Sequence, residues 1–340
     1  MHIPDGYLSP QTDAVLGFVS AITAAVAASK TASTVRAKYI PMLSVGAAFS
    51  FTLMMFNVPI PDGTTAHAVG GSLLAVILGP WAAMISVSIA LIIQALFFGD
   101  GGILALGANI FNMAVVLPFV SYAIFQLIAG NSDSLSKRRM IGSGIAGYIG
   151  LNMAALCAGI EFGLQPLLFH AANGTPLYSP YGLGVAIPAM LFAHLTIAGP
   201  VEGVVTGLVI AYLQRSNPVL LQMRTDSGKS TSHIPYVRYI GGLLVVALLT
   251  PLGLLASGTA WGEWGGVDLQ ARLGFVPTGI EKLGDFWNHI LFKDYGISGF
   301  DQTFWKQALG YIISAFFALL VIGIIGFGIQ RMVRKPERHT

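Results

Sequence analysis

The stretch WAAMISVSIALIIQALFF, residues 81–98, is apolar almost throughout and carries no charged side chain. An apolar run of about 20 residues is the length that an α-helix needs to cross the hydrocarbon core of a membrane. The whole chain has the same character, because 54% of its 340 residues are hydrophobic and 10% are charged, against about 25% charged residues in a soluble domain. The sequence therefore predicts an all-α polytopic membrane protein packed against the lipid bilayer.

Comparable apolar runs predict nine membrane spans. They cover residues 12–29, 39–57, 64–79, 81–98, 103–129, 140–164, 183–213, 237–257 and 307–330. The seven spans within residues 1–213 are closely connected and are interpreted as one membrane domain. Residues 214–236 are polar and are interpreted as a cytoplasmic linker. Residues 237–340 are interpreted as a two-span hairpin around a long outer loop.

The distribution of Lys and Arg predicts the orientation of the chain. Most of the 18 basic residues lie at one set of span ends, and only Arg272, Lys282, Lys293 and Lys306 lie at the other. Basic loops favour the cytoplasmic side, so we expect the N-terminus outside and the C-terminus inside the cytoplasmic membrane of a prokaryote. The first basic residue is Lys30, so no secretory signal is expected and Met1 should stay in place.

The opening residues MHIPDGYLSP, 1–10, offer several nitrogen ligands. The Met1 amine, the His2 backbone nitrogen and the His2 ring Nδ1 can close a five-membered and a six-membered chelate ring. Removal of the amide proton needs a strongly Lewis-acidic metal, and square-planar nitrogen sites favour Cu(II) or Ni(II). The fourth corner of such a site remains open for another residue.

A second histidine lies in IPDGTTAHAVGG, residues 60–71. Asp62 or Thr64 is predicted to cap the third span, which places His67 in the first helical turn. The positive end of the helix dipole disfavours a charged imidazole, so we expect His67 to be neutral and free to bind a metal. Both histidines fall on the predicted outer side. The sequence therefore favours a metal site of Met1, His2 and His67 over two unrelated histidines.

Polar side chains near these residues are candidates to orient the metal ligands by hydrogen bonds. They are Thr64, Thr65, Gln94, Asn109 and Asn112. The alternative role for such residues is hydrogen bonding between helices.

Acidic residues in the membrane domain have more than one interpretation. Glu202, with His194 as a possible partner, is a candidate functional carboxylate because charges inside a membrane are costly. Its depth depends on whether Gly199-Pro200 breaks the helix. Asp100 either attracts cations or caps a helix, and Glu161 is expected to contact water.

Five motifs together resemble the nickel/cobalt-binding membrane subunit of energy-coupling-factor (ECF) transporters, the NikM/CbiM family. They are MHIPDGYLSP, IPDGTTAHAVGG, ILGPWAA (77–83), LIIQALFFGDGGILALGANIFNMA (91–114) and PVEGVVTG (200–207). The resemblance covers residues 1–213 and implies a seven-helix substrate-binding subunit. It implies a metal held by the Met1 amine, the His2 amide and ring, and His67. It also implies two kinds of partner, a transmembrane coupling subunit and ATPase subunits.

The hairpin contains FVPTGIEKLGDFW, residues 275–287, which is similar to the PDGLE signature of the accessory NikN/CbiN-type subunit. Thr278 replaces the Asp of that signature and Ile280 replaces its Leu. The resemblance implies that an accessory subunit is fused to this chain. Such a fusion suggests the nickel branch of the family, and four planar nitrogens also suit Ni(II) better than Co(II).

Other classes of function fit the residues less well. The stretch GKST, 228–231, lacks the glycine of a phosphate-binding loop at Met223, so ATP hydrolysis is expected on separate subunits. The net charge of +3 gives no indication of nucleic-acid binding. The sequence contains no H-E-x-x-H motif, which would indicate a metal-dependent enzyme. We therefore predict a subunit that imports Ni²⁺ as its substrate. Cobalt uptake by the same machinery and a stand-alone secondary metal transporter are the alternatives.

Overall fold

The protein, described from a computed structural model, is a bundle of membrane helices. The structure describes residues 1–34, 40–61, 64–222, 236–256 and 258–333. Within these ranges seven helices are long and apolar enough to span a membrane. They run over Pro10–Ser33, Pro80–Phe98, Leu106–Ala129, Lys137–Leu168, Leu183–Ser216, Tyr236–Leu255 and Phe304–Arg331. The predicted all-α membrane architecture is confirmed.

The membrane domain is built from the following elements. They are α1 (Pro10–Thr34), α2 (Ile40–Met54), β1 (Val58–Ile60), β2 (Thr64–Ala66), α3 (Gly71–Leu78), α4 (Pro80–Ile93), α5 (Leu106–Asn109), α6 (Leu117–Ala129), α7 (Lys137–Leu168), α8 (Leu183–Ala193), α9 (Gly199–Ser216) and α10 (Val219–Gln222). The C-terminal region contains α11 (Tyr236–Leu249), α12 (Gly266–Leu273), α13 (Thr278–Leu283) and α14 (Phe304–Val333), with 3₁₀ turns at Thr250–Leu255 and Lys293–Tyr295. The predicted linker falls partly outside the described residues, since these omit 223–235 and with them the GKST stretch.

The third predicted span is wrong as a helix over 64–79. Its first residues form β2, which pairs antiparallel with β1, and residues 67–70 are neither helix nor strand before α3 begins. A helix of 8 residues is only about 12 Å long. Non-helical backbone at membrane depth is tolerated where protein buries it, and residues 66–70 are all buried. The apolar character of this segment therefore reflects burial in protein rather than contact with lipid.

Two related predictions fail for the same reason. Thr64 lies in β2 and does not cap a helix, while Asp62 lies outside the described residues. The residue that precedes α3 is Gly70, in the left-handed conformation with φ 78°. His67 therefore lies in residues 67–70, which are neither helix nor strand, and not in a first helical turn. The second predicted span is also shorter than expected, because α2 has only 15 residues.

Three π-helical segments interrupt the long helices, at Gln94–Phe98, Ile110–Val116 and His194–Ala198. The last of them joins α8 to α9, so the chain stays helical through Gly199-Pro200, where the sequence suggested a break. Such π-helical segments occur frequently at functional sites. Each of the three carries a polar residue that the sequence singled out, namely Gln94, Asn112 and His194.

The first nine residues form a segment, called here the N-terminal segment, that is inserted into one end of the bundle. Ile3 and Leu8 are fully buried. Asp5 accepts hydrogen bonds from the backbone N–H groups of Leu104 (2.8 Å), Ile103 (3.1 Å) and Ala105 (3.3 Å). The N-terminal segment is thus fixed to the loop before α5.

The C-terminal region packs over the N-terminal segment. The Tyr7 hydroxyl donates to the Trp264 carbonyl at 2.8 Å. Gly6 has φ 82°, and a Cβ at this position would lie 2.6 Å from the carbonyl oxygen of Gly279. Glycine is required at position 6 by both the left-handed backbone and this close approach. Residues 258–303 therefore cover the end of the bundle that holds Met1.

Candidate metal centre

The structure brings His2 and His67 together. The His67 Nε2 and His2 Nδ1 atoms are 3.3 Å apart, and both side chains are buried. With metal–nitrogen bonds of about 2.0 Å, adjacent corners of a square lie about 2.8 Å apart. The two ring nitrogens are therefore close to the separation that neighbouring ligands of one metal ion need.

The tautomer of His67 follows from its backbone contact. His67 Nδ1 lies 3.1 Å from the carbonyl oxygen of Ala68. Because a carbonyl only accepts, Nδ1 carries the proton and Nε2 is left with its lone pair. That lone pair faces His2. The orienting partner of His67 is thus a backbone carbonyl, and not one of the side chains proposed from the sequence.

Glu202 is hydrogen-bonded to the backbone that follows His67. Its Oε2 accepts hydrogen bonds from the N–H groups of Val69 and Gly70, both at 2.8 Å, and its Oε1 accepts one from Ser72 at 3.2 Å. A carboxylate is thus the partner for backbone groups that have no strand or helix to satisfy them. Glu202, predicted from the sequence as a candidate functional carboxylate, therefore positions the backbone next to His67.

His194 does not pair with Glu202 as the sequence suggested. Its Nδ1 donates to the Met190 carbonyl at 2.7 Å, and its Nε2 is buried without a hydrogen-bond partner among the described residues. Glu161 is also buried rather than wet, and it accepts a hydrogen bond from Asn112 at 2.7 Å.

Both histidines of the site are neutral at pH 7. Burial lowers the pKa of His2 to about 4, and the Met1 ammonium lowers it too, while Glu263 and Gln94 act in the opposite direction. Burial also lowers the pKa of His67 well below its usual value, followed by the effects of His2 and of the Met1 ammonium. The expected neutrality of His67 thus has burial, and not a helix dipole, as its main cause.

Two acidic residues contact the site. The Met1 ammonium lies 3.1 Å from Oε1 of Glu263, in the C-terminal region, and the Met1 side chain is buried. Asp100 Oδ1 lies 3.0 Å from His2 Nδ1. Sequence reasoning missed Glu263, which is far from Met1 along the chain; its only local signal is a carboxylate between Trp261 and Trp264.

The other predicted site residues divide into two groups. Asn109 accepts from the Ile3 N–H at 2.7 Å and donates to the Ile3 carbonyl at 3.1 Å, so it fixes the backbone next to His2. Gln94 raises the pKa of His2. Gln94 Oε1 and His2 Nε2 are both buried without a hydrogen-bond partner among the described residues. Asn112 binds Glu161 instead, and the Thr64 hydroxyl donates to the Thr259 carbonyl at 3.0 Å. Thr65 is buried in β2.

Side chains alone do not complete a metal site here. Among the residues that the structure describes, no three His, Cys, Asp or Glu side chains converge on one point as ligands. Two imidazoles therefore need further donors. The groups beside them are the Asp100 carboxylate, 3.0 Å from His2 Nδ1, and the amine and amide nitrogens of Met1 and His2.

Comparison with known proteins identifies the chain. The family described as "Cobalt uptake substrate-specific transmembrane region" matches residues 2–220, and the family described as "PDGLE domain" matches residues 237–335. The chain belongs to the cobalt-uptake transmembrane family. The NikM/CbiM resemblance, together with a fused PDGLE-type region, is therefore confirmed.

Two relatives whose names describe a fusion match this chain over nearly their whole length. The "Fused nickel transport protein NikMN" of Rhodobacter capsulatus is 47% identical over 98% of this chain and 99% of its own. The "Probable fused nickel transport protein LarMN" of Lactiplantibacillus plantarum is 47% identical over 97% of this chain and 98% of its own. A solved structure described as a truncated transition metal transporter is 61% identical, with a TM-score of 0.59 over 63% of this chain and 98% of that one. The family member described here is thus a multi-pass membrane protein of nickel and cobalt uptake.

We expect Glu202→Gln to lower the melting temperature of the purified protein in detergent. An amide has one acceptor oxygen where the carboxylate has two, so it leaves at least one of the Val69, Gly70 and Ser72 N–H groups without an acceptor. An unsatisfied buried donor costs about 1–3 kcal/mol. The control is Glu281→Gln, at an exposed position in α13. Equal melting temperatures for the two variants would contradict the positioning role of Glu202.

Proposed function

We propose that this protein is the nickel-binding membrane component of an ECF-type, ATP-driven importer. Ni²⁺ is the substrate, held in a square plane by the Met1 amine, the His2 amide nitrogen, His2 Nδ1 and His67 Nε2. The observation that carries this proposal is the pair of buried, neutral imidazole nitrogens 3.3 Å apart, next to the first amine of the chain.

The order of ligands follows from the chelate rings. The amine and the amide nitrogen are neighbours, and the amide nitrogen and His2 Nδ1 are neighbours, so the fourth corner adjoins both the amine and Nδ1. The separation of His67 Nε2 from His2 Nδ1 supports this placement. When His2 Nδ1 binds the metal, its proton moves to Nε2, where the unpartnered Gln94 Oε1 is an acceptor.

Planar nitrogen ligation favours nickel over cobalt. Deprotonated amide and amine nitrogens impose a strong planar field, which suits Ni²⁺ better than Co²⁺. The names of the two full-length relatives point to the same ion. Cobalt uptake remains the alternative, in agreement with the description of the family.

The proposed entry route starts outside the cell. The described basic residues Lys137, Arg138, Arg139, Arg215 and Arg331 lie at helix ends remote from the metal centre, as the positive-inside rule requires for a centre that faces outward. The N-terminus is then outside and the C-terminus inside. Arriving Ni²⁺ displaces the Met1 amine from Glu263 and is stripped of water in the buried site.

Transport is proposed to need a transmembrane coupling subunit and ATPase subunits. In cells or proteoliposomes we expect ⁶³Ni uptake to require those partners and ATP. A variant of the ATPase partner that cannot hydrolyse ATP is the matched control and should abolish uptake. Undiminished uptake by this chain alone would instead identify a secondary metal transporter.

We expect one extra residue before Met1 to abolish tight nickel binding. The extension converts the amine into an amide and moves the free amine out of the first chelate ring. His67→Ala should have the same effect, because it removes the fourth corner. Nickel titration by calorimetry measures both.

The control for these variants is His170→Ala. His170 makes the same kind of ring contact, with its Nδ1 3.1 Å from the Ala171 carbonyl, but it is exposed. Its substitution should leave binding unchanged. Tight binding by the extended protein would remove the amine from the ligand set.

The number of protons that nickel binding releases per ion should stay nearly constant between pH 7 and pH 6. The imidazoles contribute none, because their lowered pKa values keep them neutral throughout this range. Calorimetry in buffers of different ionisation enthalpy measures the number. A rise of about one proton between pH 7 and pH 6 would show that the imidazoles titrate near their ordinary pKa of about 6.5.

A further inference from the structure

The C-terminal region is hydrogen-bonded to the π-helical segment Gln94–Phe98. The Trp287 indole N–H donates to the Leu96 carbonyl at 2.9 Å. The backbone N–H groups of Leu291 and Phe292 donate to the Phe97 carbonyl at 3.0 and 2.9 Å. Two carbonyl groups of this π-helical segment are therefore satisfied by the C-terminal region.

Tyr295 is the residue that this contact brings to the metal centre. Its hydroxyl contacts Asp100 Oδ2 and accepts a hydrogen bond from Gln94 Nε2 at 2.8 Å. Because Gln94 is the donor in that second bond, the hydroxyl proton is directed at Asp100. The other oxygen of Asp100, Oδ1, lies 3.0 Å from His2 Nδ1. A single carboxylate thus joins Tyr295 to a proposed metal ligand.

The backbone around Tyr295 is held in an unusual conformation. Asp294 and Tyr295 have φ 51° and 62°, and within the described residues they are the non-glycine positions with positive φ. Such residues persist where the surroundings impose them, and they cluster at functional sites. Here the buried Ser314 hydroxyl of α14 donates to the Tyr295 carbonyl at 2.8 Å. The ring of Tyr295 stacks on Phe98, with centroids 5.1 Å apart.

We propose that Tyr295 is a positioning residue for the metal centre, acting through Asp100. It fixes the carboxylate so that the His2 ring stands with Nδ1 toward His67 Nε2 before nickel arrives. The docked C-terminal region thereby helps to set the position of a metal ligand that belongs to the membrane domain. This proposal rests on the function proposed above and assigns part of it to the C-terminal region.

The first test compares nickel binding by wild type, Tyr295→Phe and Tyr311→Phe, each as the full chain in detergent. Tyr295→Phe keeps the ring and removes only the hydroxyl. Asp100 contacts the nitrogen that nickel occupies, so it orients the His2 ring in the metal-free protein and gives way when nickel binds. A protein in which only about a tenth of the molecules have the ring correctly placed binds about tenfold more weakly, and we expect a loss of that size for Tyr295→Phe. Tyr311→Phe is the matched control, because its ring packs 5.6 Å from that of Tyr295 while the contact with Asp100 comes from Tyr295.

A double-mutant cycle with Asp100→Asn tests whether Tyr295 acts through Asp100. If it does, the double variant binds nickel no more weakly than the weaker of the two single variants. Because the effect acts on the metal-free protein, the association rate of Ni²⁺ should also fall in Tyr295→Phe and stay unchanged in Tyr311→Phe. A purely structural role would lower the melting temperature and leave that rate unchanged.

Several outcomes would overturn the inference. Wild-type affinity in Tyr295→Phe would do so, as would affinity losses that multiply in the double variant. If Tyr295→Phe does not fold, Ser314→Ala replaces it. This variant releases the Tyr295 backbone and should weaken binding in the same direction, whereas the exposed Ser33→Ala should not. Wild-type affinity in Ser314→Ala would then count against the inference. Absence of nickel binding by the wild type is a different result, which refutes the proposed function itself.

Discussion

The structure depends on satisfying the polar groups of a chain end that is buried among membrane helices. An unpaired backbone group in such surroundings is costly, so the N-terminal segment can be inserted only where partners await it. Asp5 receives three backbone N–H groups, Asn109 pairs with Ile3 in both directions, and the Gln165 side chain accepts from the Ser9 N–H at 2.9 Å. The position of His2 follows from these bonds.

The same constraint explains the second half of the centre. The segment before α3 is not helical, so its N–H groups cannot bond along a helix. Glu202 accepts two of them, from Val69 and Gly70, and also the N–H of Ser72 in the first turn of α3. His67 lies two residues before Val69, and its own ring is fixed by the Ala68 carbonyl. Two irregular segments are thereby held face to face inside a helical bundle. An ordinary pair of transmembrane helices would not offer backbone nitrogens at this depth.

The sequence predicted what local pattern controls and missed what distant contacts control. Uncharged runs such as residues 81–98 predicted the long helices correctly, and the choice of His2 and His67 came from ligand chemistry and motif. The run 64–79 misled, because apolar residues buried in protein look the same as apolar residues facing lipid. Glu263 and Tyr295 could not be predicted, because no local pattern around them indicates contacts with Met1 and Asp100, which are distant in the chain. The role of Glu202 could not be predicted either, because it depends on the non-helical backbone of Val69 and Gly70.

Covalent joining of the C-terminal region to the membrane domain has a consequence for assembly. Trp264 and Glu263 contact the N-terminal segment, and Tyr295 contacts Asp100, all within one polypeptide. Docking of the C-terminal region on the site is therefore an intramolecular step, governed by an effective local concentration rather than by the amount of a separate subunit. A separately encoded cover would dissociate as its expression fell. In the fused chain the stoichiometry is fixed at one cover per site, whatever the cell's rate of synthesis.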